Sequence, residues 1–134
     1  MDNQRDDERE VRDLIEAWAA AVRRRDVAGA LKNHSADILM FDVPPPLKSE
    51  GIDAYRETWV PFFSWSGDPV RFDIVEMRVT AGADVAFAAA LMRCAGRESG
   101  GENIELDFRL TVGLKKIDGR WIVTHEHHSV PAEK

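Results

Sequence analysis

Cysteine and tyrosine are almost missing from this sequence: Cys94 and Tyr55 stand alone among 134 residues. A lone cysteine excludes a disulfide framework and a cysteine-based metal cluster. No apolar run approaches the roughly 18 residues that a membrane-spanning helix needs. Surplus positive charge is missing too. A formal charge of -6 is the wrong sign for a nucleic-acid surface or an anionic membrane. That charge is diffuse, so it does not specify the sign of a substrate. The opening stretch MDNQRDDERE has no apolar core of a secretory signal, which predicts a soluble, cytoplasmic protein. No repeat, low-complexity tract, linker or nucleophile motif is present. Residues 1–134 therefore read as a single domain, large enough for its own core.

What is present concentrates near the end, where Leu106 to Pro131 reads LDFRLTVGLKKIDGRWIVTHEHHSVP. Asp118-Gly119 between two apolar-rich runs signals a β-hairpin. Side chains alternate across a strand, so the turn decides which residues meet. A two-residue loop pairs Ile117 with Arg120 and sets Leu110 against His127 and Arg109 against His128. A three-residue loop with Gly119 left-handed pairs Lys116 with Arg120. Arg109 then faces His127, Thr111 faces His125 and Gly113 faces Val123. The second register is preferred. It gathers the polar groups on one face with Trp121 and leaves Leu110, Val112, Leu114 and Ile122 on the other.

Ahead of the hairpin, Val11, Leu14, Ile15, Trp18, Ala21 and Val22 recur at helical spacing and predict a helix over 7–25. Asp26 reads as the N-cap of a short helix over 27–33. A brief strand over 38–43 is stopped by Pro44-Pro45-Pro46. A third helix runs over 51–63, with Pro61 disturbing its last turn. Residues 70–80 alternate as a strand. Val85 to Cys94 is almost wholly apolar and small, which predicts a central strand buried on both faces. A polar glycine-rich loop follows over 96–101. Helices first, then strands joined by short turns, is an α+β pattern: a curved antiparallel sheet with helices on one face. Lys115-Lys116 and Arg23-Arg24-Arg25 read as solvated charge at element ends.

Several pieces of this order carry a family resemblance. They are Phe41-Asp42-Val43-Pro44-Pro45-Pro46-Leu47 before Gly51; Gly82-Ala83-Asp84-Val85-Ala86-Phe87; Arg109-Leu110-Thr111; and Lys116-Ile117-Asp118-Gly119-Arg120-Trp121 running into His125-Glu126-His127-His128-Ser129-Val130-Pro131. Together they resemble the SnoaL-like and ketosteroid-isomerase-like members of the nuclear-transport-factor-2-like superfamily. The resemblance implies a cone, in which a bent sheet wraps around the first helix and leaves an apolar pocket. Dimers through the outer sheet face are common in that family. Its members include isomerases, cyclases, dehydratases and hydrolases, and also non-catalytic binding modules, so the likeness implies a fold more than a function. Its isomerases use a carboxylate base with a tyrosine and a protonated acid. Here the only tyrosine lies on the third helix, and Trp18 occupies the middle of the first.

The candidate site residues each have two readings. Asp42, after a strand and before three prolines, is either a proton-moving carboxylate at a pocket rim or a turn cap. Arg109 and His127 form either a polar patch at the pocket floor or a structural network. In the patch, Arg109 would hold a carboxylate or enolate and His127 would act as acid or base. Thr111 and His125 would accompany them. Trp18, Tyr55, Trp59, Phe63 and Met92 either line a ligand cavity or are core. His125 and His127 share a face that His128 does not, so no metal site is expected. Two functions stay open. One is a cofactor-independent isomerase, cyclase or dehydratase that moves a proton on an apolar carbonyl or carboxylate compound. The other is a non-catalytic ligand-binding or dimerisation module. A homodimer with a small-molecule ligand is expected, with no nucleic-acid or membrane partner.

Overall fold

Val11, Ile15, Trp18 and Val22 are the buried stripe of helix α1 (Asn3–Arg23) in the structure, a computed structural model that describes residues 3–97 and 101–132. The chain continues through α2 (Val27–Leu31), β1 (His34–Phe41), β2 (Ser49–Glu50), α3 (Ile52–Trp65), β3 (Phe72–Ala81), β4 (Val85–Arg97), β5 (Asn103–Ile117) and β6 (Arg120–Ser129). The helices and the curved, unclosed six-stranded sheet make an α+β fold. Sheet order is β2-β1-β6-β5-β4-β3.

Asp26 caps α2 through its side chain, which accepts from the Gly29 backbone N–H at 2.9 Å. α3 runs through Pro61 to Trp65 instead of ending at 63. At its end Trp65 packs over Gly96, where a Cβ would fall inside the indole ring. Gly96 therefore belongs to β4, not to a loop, and residues 98–100 of the expected loop lie outside the described residues. The sheet is mixed rather than antiparallel, because β1 runs parallel to β6. β1 pairs antiparallel with the short β2 that follows it, but β6 is far along the chain, so no turn sets the direction of β1 against β6.

The inner face of the sheet holds the core. Ala86, Ala88, Ala90, Met92 and Cys94 of β4 and Phe108, Leu110, Val112 and Leu114 of β5 are buried against α1 and α3. Burying each larger side chain stabilises the fold by about 1.5–3 kcal/mol. β4 is not covered on both faces. Its outward residues Val85, Phe87 and Leu91 are 55%, 52% and 44% exposed, so its apolar composition serves two different surfaces.

Charges stitch the helices to the sheet. Asp7 accepts from Lys116 Nζ at 2.9 Å and from Trp121 Nε1 at 3.1 Å. The bonds from Lys116 and then Trp121 hold its carboxyl below the usual range. Arg23 donates to the Phe72 carbonyl at 2.7 Å, and Arg25 to those of Phe63 and Gly67 at 2.9 and 3.1 Å. Lys116 is part-buried in its pairing with Asp7, whereas Arg23 and Arg25 are exposed, as expected, and also fasten carbonyls.

Candidate functional site

The β5–β6 hairpin decides which polar groups face inward. Asp118 and Gly119 both have positive φ, 51° and 78°, the signature of a two-residue type I′ turn. Ile117 pairs with Arg120 accordingly. The register then shifts: Leu114 pairs with Val123 but Gly113 with His125, so Thr124 is an extra residue, a β-bulge. A bulge exchanges the two faces of the strand beyond it. Trp121 and Val123 point inward before it, and Glu126 and His128 after it.

This overturns the three-residue register. Arg109 pairs with Ser129, Thr111 with His127 and Gly113 with His125. Arg109, Thr111, His125 and His127 do share a face, but it is the outer one, not a pocket floor. Arg109 is exposed and donates to Ser129 Oγ at 3.1 Å. His127 is exposed and packs edge-on to Phe41. His125 Nδ1 bonds the Leu39 carbonyl at 2.7 Å. Trp121 is buried on the other face, and Ile122 points outward.

Inside, the centre is Glu126, whose side chain is 1% exposed. Its Oε2 accepts from His34 Nε2 at 2.7 Å and from the Tyr55 hydroxyl at 2.8 Å. Its Oε1 lies 3.2 Å from His128 Nε2. Trp18 Nε1 donates to the Tyr55 oxygen at 2.9 Å. Burial alone would raise the Glu126 carboxyl. The hydrogen bonds from His128 and His34, with the charges of those rings, outweigh it and hold the group at about 2. Burial, and then the Glu126 charge, push the Tyr55 hydroxyl well above its usual value, so Tyr55 keeps its proton. Both nitrogens of His34 face acceptors, Glu126 and the Lys32 carbonyl at 2.8 Å.

His128 links this network to a cavity. With Nε2 turned to Glu126, its Nδ1 stands 3.6 Å from Asp42 Oδ1. Asp42 also accepts from the Val43 backbone N–H at 2.8 Å, so it caps its own turn and faces His128 at once. The cavity has a volume of about 270 Å³. Asp42 and His128 sit at its polar end, with Thr58 on the wall. The rest is apolar: Met40, Val43, Pro44, Trp59, Pro61, Phe62, Trp65, Phe72, Cys94, Leu106 and Phe108. Trp18 and Tyr55 lie behind this wall, in the network. Phe63 packs under the Arg25 guanidinium, 5.5 Å from its ring centre. Met92 is buried in the core.

His34, Glu126 and His128 were not among the sequence candidates. The only available signal was the density of histidine and acid in THEHHS, which placed the wrong members inside. Against the effect of burial, the hydrogen bonds from His128 and His34 hold Glu126 as an anion. A fixed anion orients His128 through Nε2 and leaves its Nδ1 turned toward Asp42, 3.6 Å away. Among the described residues no three His, Cys, Asp or Glu side chains are arranged to hold a metal ion.

The family model for the SnoaL-like domain matches residues 11–133. The chain belongs to the SnoaL-like family. Among solved structures, this SnoaL-like chain is similar to an NTF2-like protein of unknown function from Pseudomonas putida KT2440. The two share 35% identity over 94% of this chain and 87% of that one, with a TM-score of 0.83. A ketosteroid isomerase-like protein from Erwinia carotovora atroseptica SCRI1043 shares the fold at 18% identity, over 93% and 97% of the two chains, with a TM-score of 0.77. So does the association domain of C. elegans CaMKII, at 18% identity over 97% and 100%, with a TM-score of 0.75. No curated protein matches the chain. The SnoaL-like fold thus places this chain in the nuclear-transport-factor-2-like superfamily, beside neighbours named for an isomerase and for assembly.

Proposed function

We propose that this SnoaL-like domain, a single unit working as a cytoplasmic homodimer, binds a small apolar carbonyl compound in the aromatic-lined cavity and moves a proton on it without a cofactor. Asp42 and His128 act as the acid–base pair. The reaction class is isomerisation, cyclisation or dehydration. The observation that carries this reading is the Nδ1 of His128 beside Asp42 at the polar end of an otherwise apolar cavity. Proton transfer needs a group able both to take and to give a proton near neutral pH, within reach of the substrate. A histidine whose other nitrogen is committed to a buried carboxylate has that character, as in the base–orienter pairs of acyl transfer. Low polarity around the pair strengthens its interaction with a developing enolate.

In the proposed step the pair in its basic form takes a proton from carbon beside the carbonyl. The electron pair moves onto the carbonyl oxygen, and the proton returns at oxygen or at another carbon. The test is exchange of those carbon-bound protons of an enolisable bicyclic ketone with deuterated water, followed by NMR. Wild type should exchange the probe about 100-fold faster than Asp42→Asn, within the usual range for acid–base catalysis. Equal rates for the two would remove Asp42 from the reaction.

The outer face supports a second reading, an association module whose interface is its main work. Val85, Phe87 and Leu91 present apolar surface there. Light scattering should give twice the 15.1 kDa of one chain, and Phe87→Glu should halve it. If the halved form keeps full exchange activity, assembly and chemistry are separate. If wild type itself weighs one chain, the dimer is ruled out.

A further inference from the structure

Resting on the reading of the cavity as a ligand site, we infer that its ligand is an uncharged aromatic compound of one or two rings, and that the site turns away carboxylates and phosphates. Size is the first argument. About 270 Å³ falls just below the range of roughly 300–1,000 Å³ of ordinary ligand pockets. Shape is the second. Trp59, Phe62, Trp65, Phe72 and Phe108 wall the cavity, and their mutual contacts are edge-on or tilted. Trp59 and Phe62 stand 5.6 Å apart at 81°, Phe62 and Trp65 6.1 Å at 47°. Such walls offer both faces and edges to a flat ring.

Charge is the third argument. The described lining includes no lysine and no arginine. Its polar end is Asp42 with His128, and the Nε2 of His128 is already directed to Glu126. An anionic ligand would lose its hydration and meet a carboxylate without a free cation to offset it. The guanidinium that the sequence suggested for a carboxylate, Arg109, lies on the far face of the sheet, bonded to Ser129. A ketone or phenol oxygen, by contrast, carries no charge to set against Asp42 and can take up a hydrogen bond at the polar end of the cavity.

Cys94 supplies the readout. It is the only cysteine and lines the cavity. Burial, then the charge of Asp107, push its thiol up to about 11, so N-ethylmaleimide should label it slowly and a bound ligand should slow it further. Mass spectrometry follows the labelling and thermal melting gives a second measure of binding. The probes are acetylnaphthalene, naphthoate and a four-ring steroid ketone. Acetylnaphthalene should protect Cys94 and raise the Tm. Naphthoate should need about tenfold higher concentration for the same protection, and Asp42→Asn should narrow that gap. The steroid ketone should protect less than acetylnaphthalene. If naphthoate protects as well as the ketone, or the steroid protects better, the ligand class is wrong while the site stands. If no probe protects Cys94 or raises the Tm, the ligand-site reading and this inference fall together.

Discussion

His128 holds its Nδ1 3.6 Å from Asp42 while its Nε2 lies 3.2 Å from Glu126. One imidazole thus joins a carboxylate at the cavity to one that is fully buried. The two acids have different work: Glu126 is held as an anion at about 2, and Asp42 shares the side that a ligand can reach.

Glu126→Gln tests the buried half of this arrangement. The amide has the same shape but takes the negative charge away from the buried cluster of His34, Tyr55 and His128. Removing one partner of a buried pair destabilises by about 3–5 kcal/mol. Urea unfolding of wild type and variant should show that difference. A loss under about 1 kcal/mol would mean that Glu126 is not charged in the fold.

Acid should unfold the protein through the same group. Glu126 has a lowered folded pKa, about 2 against an ordinary 4.5. Its contribution is therefore complete above about pH 4.5 and is lost as pH falls toward 2. The gap corresponds to about 3 kcal/mol. Asp7, Asp26 and Asp107 are also lowered, so the decisive comparison is between wild type and Glu126→Gln. Stability measured from about pH 5 down to about pH 2 should fall more steeply in wild type. Parallel curves would contradict the assignment.

Gly96→Ala should disturb the cavity without touching its polar end. A methyl group at 96 meets the ring of Trp65, which lines the cavity. Forcing an extra carbon into such a contact typically destabilises by about 1–3 kcal/mol. Because the indole must move, tryptophan fluorescence should shift and binding of acetylnaphthalene should weaken. A variant with unchanged melting and unchanged spectrum would show that Trp65 moves aside freely.

Much of the fold was legible because its signals are local. The apolar spacing of α1, the Asp26 cap and a turn at Asp118-Gly119 depend on a few neighbouring residues each, although the turn has two residues with positive φ at both and not the three-residue form preferred. The site was not legible, and Thr124 is the reason. Alternation reads faces correctly only while the ladder is unbroken, and nothing in Val123-Thr124-His125 announces an extra residue. One bulge sent His127 outward and Glu126 and His128 inward. His34 was missed for a related reason: β1 begins there, four residues before its apolar run, and its partner lies 92 positions away. Trp18 and Tyr55 were recognised as interior residues, but their hydrogen bond to each other required the packing of α1 against α3.

The most direct test compares two neighbouring histidines. Proton exchange of an enolisable bicyclic ketone is measured with wild type, His128→Asn and His127→Asn, after each variant is shown by circular dichroism to be folded. His128→Asn should lose about 100-fold or more, and His127→Asn, whose side chain lies on the outer face, should exchange like wild type. Loss of exchange in His127→Asn with activity kept in His128→Asn would contradict the role of His128.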